Sequence, residues 1–280
     1  MRTGISRRGL LRGIAHSAAI SSLAAALPRH VRAAGAATPA AAAPARTTYC
    51  MSMLYPSGEG LTFDGDKFRD QHIPLLKSAY GEGMQRVELR VAPPPPAPAE
   101  GAPPPPAPPL LAAVSIWLGN VDKFIAGQSA HAREMAADMG MITKSAPMVQ
   151  FDNVVADLGG ARDSVMVDAL CLSLMFPVKD LADNKGAATW DSKGFATDYL
   201  PKLYAAFGPE AIRRIEVDQG ATAVGGGKLL MLGAVNTYIA DEAKYAAAAG
   251  GDAAKQLGAM ETTYYNAPPF PSLMRVHAIG

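Results

Sequence analysis

Eight short stretches of this chain predict strands, and segments with helical spacing lie between several of them. Residues 49–55 predict the first strand. Pro56-Ser-Gly-Glu-Gly60 has turn chemistry, and Asp64 stands before the next periodic run as a helix N-cap. Phe68, Ile73, Leu76 and Tyr80 recur at helical spacing, which predicts a helix over 66–80 that Gly81 and Gly83 end. Strands over 85–91 and 110–118, a helix over 121–137 and a strand over 148–156 follow. After a linker at 159–164 the pattern predicts a strand over 165–176, a helix over 191–207 and strands over 211–218 and 228–235. Helices over 239–249 and 253–260 and a strand over 272–279 complete it.

This order is β-α-β-β-α-β, the ferredoxin-like split pattern, written twice. The two copies match in detail. Met53-Leu-Tyr-Pro56 answers Leu174-Met-Phe-Pro177, Phe63-Asp64 answers Trp190-Asp191, and Phe68 answers Phe195. His72-Ile-Pro74 answers Tyr199-Leu-Pro201, and Val87-Glu88 answers Ile215-Glu216. The expected fold is therefore α+β: two tandem ferredoxin-like repeats packed sheet to sheet, an intramolecular dimeric α+β barrel. Each repeat alone has one bare sheet face, and joining the two buries both. The expected segments are a signal at 1–36, a disordered leader at 37–48, a first repeat at 49–158 and a degenerate second repeat at 165–280.

The N-terminus changes the picture of where the protein works. Ser6-Arg7-Arg8-Gly9-Leu10-Leu11-Arg12 followed by a modest apolar run and small residues near Ala33 and Ala36 is a twin-arginine export pattern. It implies a periplasmic protein. Removing the six arginines of residues 1–36 leaves 20 basic residues against 25 acids, a net charge of −5. No basic stripe remains to support nucleic-acid binding, and no later segment has the length to span a membrane. Cys50 and Cys171 fall at matching places in the two copies, on central strands expected to lie too far apart for a disulfide, so free buried thiols are expected. Residues 92–109 hold two proline runs around Glu100-Gly101. This low-complexity insertion between two strands can be neither helix nor sheet.

Leu54-Tyr-Pro56 with Phe63-Asp64, His72-Ile-Pro-Leu75, Val87-Glu88, and Ala146-Pro147 leading into Val149-Gln150 carry a resemblance. Over about residues 49–156 the chain resembles the EthD family, a branch of the dimeric α+β barrel superfamily. Residues 165–279 resemble it in outline only: they lack the histidine and carry an insertion at 178–189. Family members are often labelled reductases. Relatives in the superfamily include isomerases, cyclases, monooxygenases and haem enzymes, with a small-molecule cavity between sheet and helices as their shared feature. The resemblance thus implies a fold and a ligand cavity but no one reaction.

His72 is the catalytic candidate, because it matches the family His-x-Pro and imidazole transfers protons near neutral pH. Pro74 withholds a helix donor and can bend the helix to open a cavity beside it. The opposing reading is a structural histidine near a kink. Tyr55, at the strand mouth, and Trp117 are candidate substrate contacts or core. Glu88 and Glu216 either pair across one cavity or face solvent on their strands. Tyr199 takes the place of His72 in the second copy. Asp64 reads as a cap, and His131 as part of a solvated helix face. No metal site is expected; the methionines suggest a soft pocket, without ligand spacing for copper. No cofactor is expected. Haem has no support, since the second repeat's one histidine, His277, falls on a predicted strand.

Two functions remain. One is an exported small-molecule enzyme, oxidoreductase-type by the family label or a cofactor-independent acid–base catalyst, acting on an apolar compound in the barrel cavity. The other is a non-catalytic periplasmic ligand-binding or accessory protein. Either would be a monomer with internal pseudo-dimer symmetry, or a homodimer.

Overall fold

A computed structural model describes residues 48–94, 107–179, 187–223 and 229–280. The segments expected to be an export signal and a leader up to residue 47, residues 95–106 of the proline-rich insertion, and residues 180–186 and 224–228 lie outside these residues.

Eight strands form one closed antiparallel barrel: β1 (Thr48–Pro56), β2 (Met84–Val91), β3 (Leu110–Leu118), β4 (Met148–Gly159), β5 (Leu170–Pro177), β6 (Ile212–Ala223), β7 (Met231–Ile239) and β8 (Phe270–Ile279). Around the barrel the order is β1-β3-β2-β8-β5-β7-β6-β4. The first four strands occupy four adjacent places and the last four the others. The β2–β8 and β4–β6 pairs close the ring edge to edge. The closure is thus a continuous hydrogen-bonded wall, which removes every free edge among these strands.

Helices cover the outside. Asp64 caps α1 (Gly65–Lys67) by accepting from the Lys67 N–H, as its position suggested. A π-turn, Phe68–His72, links it to α2 (Ile73–Tyr80). After β3 comes α3 (Val121–Ile142). The second half carries α4 (Ser192–Gly194), a π-turn Phe195–Tyr199, α5 (Leu200–Phe207), α6 (Glu242–Ala249) and α7 (Asp252–Glu261). Asp191 caps α4 as Asp64 caps α1. The α2–α3 crossing is close at Gly127, where a Cβ would stand 2.3 Å from the Ala79 carbonyl oxygen.

Several element ends differ from the sequence pattern. β4 and β6 run on to Gly159 and Ala223 because they pair with each other, a contact no local periodicity encodes. β5 starts at Leu170, since Val165–Ala169 turns through Asp168 at φ 69°. α3 continues to Ile142, and Ile239 belongs to β7, with Asp241 capping α6.

The two faces of the wall differ in chemistry. Met51, Tyr55, Val87, Leu89, Val114 and Ile116 point outward and pack under α2 and α3 with Phe68, Leu76 and Phe124. Leu172, Ile215, Val217 and Val235 do the same under α5 to α7. Many inward positions are polar, although Met175, Met231 and Met274 also border the lumen. Arg90 on β2 reaches Ser173 on β5 and Asn236 on β7, which are not its neighbours, so these bonds cross the lumen. Cys50 and Cys171 are free and buried, on strands four places apart in a ring of eight. They stand on opposite walls, beyond the ~4.4–6.8 Å Cα separation a disulfide needs.

Candidate functional site

The predicted site residues fall in three places. His72 and Tyr55 lie between sheet and helices in the first half, Tyr199 lies in the equivalent layer of the second half, and Glu88 and Trp117 point into the lumen.

His72 ends the first π-turn, where Ile73 donates its N–H to the Phe68 carbonyl five residues back. Pro74 follows at the start of α2, where its missing N–H is tolerated. Widened turns of this kind are frequent at functional sites. His72 is 3% exposed. Its Nδ1 stands 2.6 Å from Asp138 Oδ2 on α3, which leaves Nε2 as the nitrogen for other chemistry. Burial lowers the imidazole pKa from its ordinary value, and Asp138 offsets this only in part. A neutral, carboxylate-oriented imidazole can accept a proton and be stabilised once charged. Rings run from here to the strand mouth: His72 to Phe68 4.9 Å, Phe68 to Phe63 5.7 Å, Phe63 to Tyr55 4.8 Å. Aromatic side chains therefore pack beside the imidazole. Tyr55 is 1% exposed, and its hydroxyl approaches only Met53 Sδ at 4.0 Å. Burial raises its pKa.

The second half builds the same turn with other chemistry. Phe195–Tyr199 is again a π-turn, followed by Pro201, and Phe195 stacks 4.5 Å from Tyr199. The Tyr199 hydroxyl donates to Glu261 on α7, which also accepts from Tyr265 at 3.1 Å. Burial raises the Glu261 pKa. A His–Asp pair in one half thus stands where a Tyr–Glu pair stands in the other.

Asp138 and Glu261 escaped the sequence reading, although a signal was present. Asp138 is three residues past Met135 and four before Ile142, on the buried stripe of α3. Glu261 is four past Leu257 on α7. A carboxylate on an apolar stripe implies a partner across the interface.

In the lumen Glu88 and Glu216 are fully buried, which rules out the solvent-facing alternative. Glu88 accepts from the Tyr238 hydroxyl at 2.8 Å, with Arg86 at 3.4 Å and Arg90 at 3.6 Å. Glu216 accepts from Trp117 Nε1 at 3.0 Å, Arg162 at 2.8 Å and Arg214 at 2.5 Å. Arg162 also lies over the Trp117 ring, 4.7 Å from its centre, so the linker between the halves plugs this end of the barrel. Trp117 is a wall of this ionic network. Above it lies a cavity of about 30 Å³ bordered by Arg90, Asp152, Asp218 and Asn236 and by Met175, Met231 and Met274. That is room for about one water molecule or ion. The expectation of an apolar compound in the barrel cavity is corrected accordingly: the cavity among the described lumen residues is too small for one.

The remaining candidates are peripheral. His131 bonds Glu134 on an exposed face. His277 lies on β8 with Nε2 3.1 Å from Asp66, on a strand as the sequence pattern predicted. Among the described residues no group of three or more His, Cys, Asp or Glu side chains could hold a metal ion, and no helix is long and apolar enough to cross a membrane.

No family model matches the chain, and no curated relative matches it. Solved structures do. An EthD-like protein from Ralstonia eutropha is 25% identical over 42% of this chain and 98% of its own, with a TM-score of 0.33. An anthrone oxidase-like protein is 11% identical over 84% of this chain and 92% of its own, with a TM-score of 0.54. A protein from Fusobacterium nucleatum with a provisional monooxygenase assignment is 7% identical over 83% and 93%, with a TM-score of 0.50. The last two share the chain's overall fold, an α+β architecture around an antiparallel barrel, and both carry oxidoreductase-type names.

Proposed function

We propose that this chain is an exported EthD-type enzyme built as a tandem duplication of a ferredoxin-like unit. Its reaction is proton abstraction from a small carbonyl- or phenol-bearing compound, with His72 as the base and Asp138 orienting it. The carrying observation is the buried His72–Asp138 pair at 2.6 Å in a π-turn. Support for the duplication comes from the strand order, which reads 4-1-3-2 in each half, and from the paired caps Asp64 and Asp191. The twin-arginine pattern supports export.

The substrate approaches from the helix side of the sheet and not from the lumen. Phe63 and Phe68 fill that space in the resting state, so binding requires the Phe68–His72 turn to open. A turn bonded i to i−5 and followed by a proline is suited to this. Tyr55 lines the far end of the same layer.

Anthrone is a suitable probe, because it is an apolar carbon acid and the second structural neighbour is described as anthrone oxidase-like. Deprotonation followed by reaction with dioxygen gives anthraquinone and water without a bound cofactor. Turnover that falls about 10²–10⁴-fold in His72→Asn, the range of general-base catalysis, supports the assignment. Equal turnover by wild type and His72→Asn refutes it. The second reading, a non-catalytic binding protein, draws on Tyr199–Glu261, since one half keeps its fold without the histidine. Binding of apolar ligands that survives His72→Asn, with no turnover in either form, selects that reading.

A further inference from the structure

Four carboxylates line the lumen, and they are not equally provided for. Glu88 has Arg86 and Arg90 within 4 Å, and Glu216 has Arg162 and Arg214. Asp152 and Asp218 form none of the described ion pairs, although each is 2% exposed. Asp152 Oδ1 accepts from Gln150 at 2.6 Å and Asp218 Oδ2 from Asn236 at 2.7 Å. Asp218 Oδ1 is buried with no partner, and Asp218 borders the cavity of about 30 Å³. Arg90 and Arg214 act on Asp218 only from a distance, and burial outweighs them; a buried carboxylate with no direct cation partner is costly and is neutralised by a proton or by an ion.

The rest of the cavity wall decides what kind of ion fits. Calcium and magnesium need six or more oxygen ligands, and the nearby oxygens are already engaged. Gln150 Oε1 accepts from the Met231 N–H, Asn236 Oδ1 accepts from Arg90 and Ser173, and Arg90 also holds Ser115. Three thioethers border the same cavity. Met175, Met231 and Met274, from β5, β7 and β8, border the cavity and pack in one cluster with Leu110 and Ala113. Thioethers select soft monovalent ions.

We propose that the lumen holds one soft monovalent cation, copper(I) or its analogue silver(I), between the side chains of Met175, Met231 and Met274 and the unpartnered Asp218 carboxylate oxygen. The volume suits one bare ion, the charge matches one carboxylate, and the site is independent of the His72 chemistry on the other side of the wall.

The test is titration of the full chain with silver(I), read by native mass spectrometry, and competition for copper(I) against a chromogenic chelator. One ion per chain is expected, in wild type and equally in the Cys50→Ala/Cys171→Ala double variant, because neither thiol borders the cavity. Asp218→Asn should abolish binding. Met175→Leu and Met274→Leu should each weaken it by about tenfold or more, at least the loss typical of a group supporting a metal. Near-ultraviolet circular dichroism confirms that each variant is folded. Three results overturn the proposal: a folded wild type that binds no ion, binding that disappears with the cysteines, or binding that the methionine variants leave unchanged.

Discussion

Replacing Glu216 by glutamine tests the ionic lumen at its centre. The side chain is fully buried and accepts from Trp117, Arg162 and Arg214. Arg214 keeps its two bonds of 2.7 Å to Asp157, but Arg162 has no other carboxylate among the described ion pairs. The amide still accepts from one donor, while its NH2 faces a guanidinium. Breaking a buried pair by removing one charge costs about 3–5 kcal/mol. The lower figure applies here, because Arg162 is partly exposed and can hydrate. For a domain of this size about 1 kcal/mol moves Tm by ~2–4 °C, so Glu216→Gln should melt ~6–12 °C below wild type. Urea unfolding followed by tryptophan fluorescence and calorimetry measures both quantities. The metal-free Asp218→Asn variant supplies the opposite sign. Asp218 forms none of the described ion pairs, and burial, with Glu216 and Asp152 nearby, holds its carboxyl well above the ordinary range although Arg90 and Arg214 pull it the other way. A neutral isostere should leave stability unchanged or raise it. If Glu216→Gln costs less than about 1 kcal/mol, well under the range for a broken buried pair, or if both variants destabilise alike, the reasoning fails.

The same logic fixes two pH dependences and two further variants. A carboxyl with a raised folded pKa binds its proton more tightly in the folded state, so Asp152 and Asp218 make the metal-free protein lose stability as pH rises from near 4; denaturation midpoints across pH should show this slope, and Asp218→Asn should flatten it. His72 has the reverse sign: its lowered pKa gives a contribution present above about 6.5, the ordinary histidine value, and lost as pH falls through the folded value. An NMR titration of its ring protons should read a midpoint below that ordinary value, and one above it would show Asp138 outweighing burial. Asp138→Asn should lower turnover while changing stability by less than about 1.5 kcal/mol, the net worth of one hydrogen bond, which separates an orienting role from a packing one. Gly127→Ala should destabilise by about 1–3 kcal/mol by driving a methyl into the Ala79 carbonyl; an unchanged melting curve would show that α2 and α3 can separate freely.

Local chemistry wrote much of this protein into its sequence. The strand–helix order, the cap at Asp64 and the matching of His72-Ile-Pro74 with Tyr199-Leu-Pro201 follow from periodicities and side chains within one turn or strand. What the sequence could not assign was the meaning of its polar alternation. In β2 and β6 the runs Glu88-Leu89-Arg90 and Arg214-Ile215-Glu216-Val217-Asp218 look like sheets with one wet face, because an antiparallel sheet ordinarily shows its polar side to water. Only the β2–β8 and β4–β6 pairings reverse that inference. They close the wall, turn the polar faces inward and force the charges to satisfy one another across distances of up to 150 residues in the chain. Likewise Asp138 becomes a partner for His72 only through the packing of α2 on α3, 66 residues apart. Patterns within a strand or a helix fix which face is polar; only the tertiary structure decides whether that face meets water, a ligand or another charge.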